Sequence, residues 1–304
     1  MAHHSIDVGV TFPTVEIGTD SGAIREFAQA VEDLGFSHLM AYDRVLAVNP
    51  VNRPDWGTIS PYTHESPFQE PLVLFSYLAG LTRTIQLVTG VIVLPQRQTL
   101  LFAKQAANLD NYCGGRLRLG VGLGHNAVEY EAMGVSFKGR AARMEDQIHF
   151  LRRLWTEPWF SETSAFHEIS EAGVCPLPIQ RPIPIWIGVS APAAVDRAAR
   201  IGDALLCYRD VSQAKETVSS FRAAVHNYGR DPDQIGVVNN ILQGMMGAPK
   251  YSPEEVAICV DTWRKAGARA VNLHTMDIGL RGVDQHVAYL RSVAHMLKLG
   301  RTVV

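Results

Sequence analysis

The stretch Thr84–Tyr130 reads TIQLVTGVIVLPQRQTLLFAKQAANLDNYCGGRLRLGVGLGHNAVEY. In order it gives an apolar strand, a helix, a Gly-Gly turn, a second apolar strand and a glycine-rich loop. Two apolar runs flanking one helical pattern make a βαβ unit, because parallel strands need such a crossover. Both strands end in residues expected to let backbone approach a ligand, Thr89-Gly90-Val91 in the first and Gly120, Gly122 and Gly124 in the second.

The same alternation extends outward on both sides. Ser5–Phe12 is a strand closed by Pro13, and Ser21 caps a helix with Ile24, Phe27, Ala28, Val31 and Leu34 at helical spacing. His38–Tyr42 is a second strand, leading through Asp43 and Arg44 into the long, proline-rich segment Val45–Pro71; loops of that length are usually functional or flexible. A helix over Leu72–Leu81 completes that side. Beyond Tyr130, a helix over Arg140–Trp155 precedes an insertion, Thr156–Arg181, whose pattern suggests a short hairpin. A strand over Ile183–Ile187 then runs through Gly188-Val189-Ser190-Ala191-Pro192 into a helix. Further strands fall at 203–208, 235–243 and 269–273, with helices at 213–228, from Ser252, and at 283–299. Ser252-Pro253-Glu254-Glu255 is a helix start with a capping serine, proline in the first turn and glutamate three residues on.

Strands and helices thus alternate eight times. Repeated right-handed crossovers close into an α/β fold, a (β/α)8 TIM barrel with insertion segments, and residues 1–304 are expected to form a single domain. A doubly wound open sheet would carry a glycine fingerprint after its first strand, where Phe12-Pro13-Thr14-Val15 stands instead. Gly120-Val121-Gly122-Leu123-Gly124 lacks the last glycine of a dinucleotide motif and occurs mid-chain.

Composition narrows the class further. With 47% hydrophobic and 19% charged residues and a net charge of −2, the chain is an ordinary globular protein, expected to bind neither nucleic acid nor membrane. No apolar run reaches the roughly 18 residues needed to span a bilayer. Four scattered cysteines, at 113, 175, 207 and 259, fit a reducing compartment, so the cytoplasm is the expected location. No histidine–carboxylate cluster or HExxH points to a metal, and no GxSxG or comparable Ser/His/Asp order points to a hydrolase.

In a barrel the chemistry sits at the carboxyl ends of the strands. That places Phe12, Asp43, Arg44, Thr89, Gly90, Val91, Gly122, His125, Gly188, Ser190, Tyr208, Arg209, Asn239, Asn240 and His274 on the candidate list. Asp43 and Arg44 form either a local ion pair or a carboxylate and cation facing a bound ring. Gly188 to Ala191, before a helix, suit an anion through exposed backbone N–H groups, or form a plain capping turn. His125 is a possible acid/base near neutral pH. His64 and Glu65 belong either to a substrate pocket or to a lid surface. Few acid/base groups and apolar walls suit a cofactor that carries the hard chemistry.

Three pieces carry a resemblance: GFSHLMAYDRVL, the run from PYTHESPFQEP to EYEAMG that contains the opening stretch, and PIPIWIGVSAPAAVDRAARIGDALL. In these the chain resembles the bacterial luciferase-like flavin and deazaflavin superfamily, and within it the coenzyme F420-dependent oxidoreductases, over nearly its whole length. The resemblance implies a barrel, a homodimer, and hydride transfer between F420 and a small organic substrate. The alternatives are an enzyme using reduced FMN and oxygen, and a non-catalytic flavin-binding barrel. By position it implies that Asp43 lies near the ring. It also implies that Thr89, Gly90 and Val91 form a bulge with a non-prolyl cis peptide behind the ring, with Gly122 and Leu123 at its rim. Gly188, Val189, Ser190 and Ala191 would hold the phosphate, and Tyr208 and Arg209 would face substrate; Phe12 at its strand end and His64 on the long loop are expected to face substrate from their place in the chain. Arg44 stands where the family commonly has histidine, and His125 where sugar-phosphate-oxidising relatives have glutamate. Both are assigned to catalysis here, Arg44 as a fixed charge and His125 as the proton donor.

Overall fold

The computed structural model describes residues 5–53, 55, 60–189, 191–244 and 247–300. Eight parallel strands close into a barrel: β1 (Asp7–Thr11), β2 (His38–Ala41), β3 (Gln86–Val93), β4 (Leu117–Gly122), β7 (Ile185–Gly188), β8 (Ala204–Cys207), β9 (Gly236–Ile241) and β10 (Ala270–Leu273). β5 (Phe160–Thr163) and β6 (Glu168–Ala172) form the antiparallel hairpin expected in the insertion. The helices are α1 (Thr14–Ile17), α2 (Ser21–Asp33), α3 (Pro71–Ala79), α4 (Thr99–Tyr112), α5 (Ala127–Ala132), α6 (Arg140–Thr156), α7 (Pro192–Ile201), α8 (Ala214–Asn227), α9 (Pro253–Ala266) and α10 (Gly282–Leu297). The α2 cap is Asp20 rather than Ser21, its carboxylate accepting from Ala23 N at 2.8 Å. The Ser252–Glu255 capping box on α9 is present in both directions.

The strand period of two sorts side chains into two cores. Val8, Val10 and Phe12 face the helices, as do Leu39, Leu87, Leu119 and Ile187. Met40, Val88, Trp186, Leu206, Val238 and Ala270 fill the barrel interior. The interior is a packed core, so ligand space is confined to the two ends.

β3 departs from regularity where the opening stretch predicts a special role. Thr89 pairs with Leu119, but Ile92 pairs with Val121, so β3 carries one extra residue in between. The Gly90–Val91 peptide bond there is cis. The glycines of β4 serve this bulge directly. A Cβ on Gly120 would lie 1.9 Å from the Thr89 carbonyl oxygen, and one on Gly122 would lie 2.6 Å from Val91 Cγ2. Their missing side chains admit the neighbouring strand rather than a ligand. That corrects the expectation for Gly120 and Gly122, whose free space is already filled by protein.

Candidate active site

The mouth at the carboxyl ends of the strands is built by alternation. Thr11 on β1, Tyr42 after β2, Tyr208 after β8, Asn240 on β9, and Asn272 and His274 at β10 stand on the inward register of their strands. They form one connected polar layer. Asn272 Nδ2 donates to Thr11 Oγ1 and, at 3.0 Å, to Asn240 Oδ1, while Asn240 Nδ2 donates to the Cys207 carbonyl. Tyr42 Oη meets His274 Nδ1 at 3.0 Å, the two rings stacked 5.8 Å apart. Tyr42 is also hydrogen-bonded to Tyr208. His274 is fully buried, and burial holds its imidazolium down to about 4, so the ring is neutral. His274 Nε2 and Asn272 Oδ1 are buried without a protein partner among the described residues. Partnerless buried polar atoms are costly, so they suit a layer finished by a polar ligand or by water.

Val91 is the apolar centre of this mouth. Its side chain packs on the interior cluster and lies where Cβ atoms on Gly122 and Gly188 would be, 2.6 and 2.7 Å from its methyls. Beside it α7 begins at Ala191, an extended N-cap with no side-chain cap and proline in its first turn. Pro192 has no N–H, and the Ala194 and Val195 amides donate to the Ala191 carbonyl, so the Ala193 amide is the donor of this turn without a partner among the described residues. Val189 is tied by its amide to the Leu206 carbonyl. Ser190 lies outside the described residues.

The strand ends also hold residues that face away from the mouth. Phe12 is 2% exposed and packs edge-to-face on Phe27 of α2, so it is helix-facing core rather than a substrate contact. Thr89 is buried and donates its hydroxyl to the Gly120 carbonyl. Asp43 is ion-paired, but to Arg97 rather than to its neighbour Arg44. One oxygen takes Arg97 Nη2 at 2.6 Å, the other takes the Val93 amide at 3.0 Å, and the side chain is 1% exposed. Burial raises this carboxyl while Arg97 and the amide hold it down. Arg97 also reaches Glu70 at 2.7 Å, so Asp43 fastens the bulged strand to the end of the long loop.

Arg44 is likewise engaged. It donates to Ser60 Oγ and the Tyr62 carbonyl, and its guanidinium lies over the Tyr62 and Phe68 rings. It clamps the Val45–Pro71 segment, whose start is held at Val45 N and Leu46 N by Glu129 Oε1. The charge of Arg44 nonetheless reaches His125. Burial first, then Arg44, lowers the His125 imidazolium below the ordinary histidine range, with Glu129 opposing. His125 stands exposed at the rim as a free base at neutral pH. Leu123, two residues before it, is half-buried and accepts from Tyr130 Oη through its carbonyl. His64 is exposed on the loop. Tyr208 and Arg209 line a cavity of about 250 Å³ together with Asn240 and Tyr251, and Asn239 clasps the Arg209 backbone through both amide atoms.

Glu16, on the short helix after β1, is absent from the sequence-based list. Its Oε1 accepts from the Asp277 amide at 2.9 Å, its Oε2 is buried without a partner, and burial raises its carboxyl to about 7. A hydrolase-like constellation occurs outside the mouth: His167 lies 2.5 Å from Asp146 and 2.6 Å from Thr99 Oγ1. Thr99 is only 2% exposed and also accepts from Gln147, so this group pins the β5–β6 hairpin to α4 and α6. Among the described residues no group of His, Cys, Asp and Glu is placed to hold a metal ion.

A profile of luciferase-like monooxygenases matches residues 6–242. The chain belongs to the luciferase-like monooxygenase family. An uncharacterized protein of Mycobacterium tuberculosis is 34% identical over 194 residues, covering 62% of this chain and 66% of that protein. An FMNH2-dependent dimethylsulfone monooxygenase of Pseudomonas putida is 30% identical, covering 82% of this chain and 64% of its own length. An F420-dependent glucose-6-phosphate dehydrogenase of Amycolatopsis mediterranei is 27% identical over 60% of this chain and 52% of its own. This chain therefore spans about two thirds or less of the curated relatives named here. A long-chain alkane monooxygenase, LadA, shares the fold, with a TM-score of 0.80 at 16% identity over 98% of this chain and 93% of its own.

Proposed function

We propose that this luciferase-like barrel, acting as one domain, is an oxidoreductase that uses coenzyme F420 to move a hydride to or from a small organic substrate. The observation that carries the reading is Val91. An inward-turned side chain at a one-residue bulge makes an apolar platform between an uncapped helix N-terminus and a rim imidazole. The residues fit such a cofactor: an apolar wall for a flat ring, the Ala193 amide at the start of α7 for a phosphate, and unpartnered polar atoms of His274 and Asn272 beneath. Bound there, the deazaflavin supplies the two-electron hydride chemistry that no side chain can.

The protein's part is positional and protolytic. Val91, admitted by Gly122 and Gly188, sets the ring plane beside Leu123, and the start of α7 after Ala191 seats the phosphate. The residues Asp43 and Arg44 hold loop and bulge instead of touching the ring. His125, unprotonated at neutral pH, takes a proton from a substrate hydroxyl in the oxidising direction and returns it in the reducing one. Tyr208, Arg209 and His64 border the substrate space. The protein works as a homodimer in the cytoplasm. Exposed Val73 and Tyr77 of α3 and Leu100, Leu101 and Tyr112 of α4, on two helices packed together, supply the apolar face for it.

A second reading, a reduced-FMN monooxygenase using oxygen, draws support from the dimethylsulfone monooxygenase similarity, which covers more of this chain than the F420 relative does. Fluorescence titration with F420 and with FMN separates the two. Saturable F420 binding supports the first; micromolar FMN binding with no deazaflavin binding overturns it.

A further inference from the structure

The barrel has a second opening. At the amino ends of the strands, opposite the mouth, a cavity of about 340 Å³ opens among Asp7, Gln86, Arg118, Trp186 and Arg269. The lining includes His38 of β2, which is 1% exposed. His38 Nδ1 meets Ser37 Oγ at 2.9 Å, and its Nε2 is buried with no protein partner among the described residues. The ring stands edge-on to Trp186 and lies so close over Gly9 that a Cβ there would be 2.2 Å from Nε2. Gly9 therefore makes room for an imidazole whose free nitrogen the protein itself does not use.

The charges around the opening are unbalanced. Burial and the charge of Arg269 both lower Arg118, while Asp7 is raised by burial and lowered by the two arginines. Among the described residues neither guanidinium forms a salt bridge with Asp7. Arg118 uses Nη1 on Gly115, Leu117 and Gln180, and Arg269 uses Nη1 on the Gln234 carbonyl. Neighbouring Arg116, by contrast, has Nε and both Nη atoms engaged by carbonyls and Thr82. Asp203, also on the lining, is taken by Arg152 and the Ile185 amide. Two guanidiniums and one carboxylate leave a net single positive charge above an indole wall. That combination matches a monoanion with an apolar body, and the volume lies in the range of small-molecule sites.

The geometry points to this floor cavity as a binding site for a small organic carboxylate, its carboxylate held by Arg118 and Arg269, its body against Trp186, and a polar atom at its far end on His38 Nε2. The site is independent of the cofactor mouth at the opposite end. Titrating the full chain with 4-hydroxybenzoate, followed by ligand-observed NMR and calorimetry, tests it. Saturable binding is expected, weakened about tenfold or more in Arg269→Gln, lost in Arg269→Glu, and unaffected by FMN, F420 or equimolar inorganic phosphate. Circular dichroism and thermal melting confirm that the rim variants remain folded. Absence of saturable binding at millimolar ligand, unchanged affinity in folded Arg269→Gln, or displacement by FMN or phosphate would each overturn the assignment.

Discussion

Burial pushes the His125 imidazolium down and the Glu16 carboxyl up, as it does for His274 and Asp43. His125→Ala is expected to lower turnover about 10²-fold or more while leaving cofactor affinity unchanged. In the wild type, activity should fall with acidification only below the ordinary histidine range, because the base must be unprotonated. Unchanged turnover removes His125 from the mechanism. Glu16 gives a stability test instead. Its folded-state value of about 7 lies above the ordinary 4.5, so the folded chain holds an extra proton between those values. That contribution is complete below 4.5 and lost as pH rises through 7. Glu16→Gln should therefore reduce the drop in melting temperature between about pH 5 and about pH 8, and an unaltered drop would contradict it. The sequence exposed these positions unevenly. Phe12 stands one residue from Thr11, and that single step turns a mouth residue into helix-facing core. Thr11 could have been found by carrying the inward register of β1 upward from Asp7 and Gly9, and Tyr42 and Asn272 by the same step of two from Met40 and Ala270. Glu16 could not, since its burial depends on the loop holding Asp277.

At the scale of elements, the β3–β4 pair governs the mouth. The opening stretch announced a βαβ unit with glycines at both strand ends, and that much was legible. What the glycines face was not, because it depends on one extra residue in β3. Gly122→Ala places a Cβ 2.6 Å from Val91 and should displace that side chain, weakening F420 binding about tenfold with the fold retained. Gly120→Ala places a Cβ 1.9 Å from the Thr89 carbonyl, a backbone atom with little freedom, and should destabilise the protein by about 1–3 kcal/mol. Equal effects of the two on thermal unfolding would contradict this division. The length of the loop after β2 marked it as functional or flexible. Its fastening by Arg44, Glu129 and the Asp43–Arg97–Glu70 chain was hidden, since those partners lie up to 84 residues apart.

For the whole molecule, alternation alone gave the closed eight-stranded barrel, because repeated crossovers leave little topological choice. No helix of the described residues is long and apolar enough to cross a membrane. The exposed apolar faces of α3 and α4 make the assembly testable. Leu101→Glu, at a side chain 58% exposed, should shift the mass seen by light scattering from dimer to monomer. A wild-type monomer would refute the dimer. Above these stands the claim that the carboxyl-end mouth is an F420 seat. Its most direct test is an equilibrium fluorescence titration of the purified chain with F420 and with FMN, run beside Gly122→Ala. The account predicts saturable micromolar F420 binding, weakened by the alanine at 122, and weaker FMN binding. Micromolar FMN binding with none by F420 would contradict it.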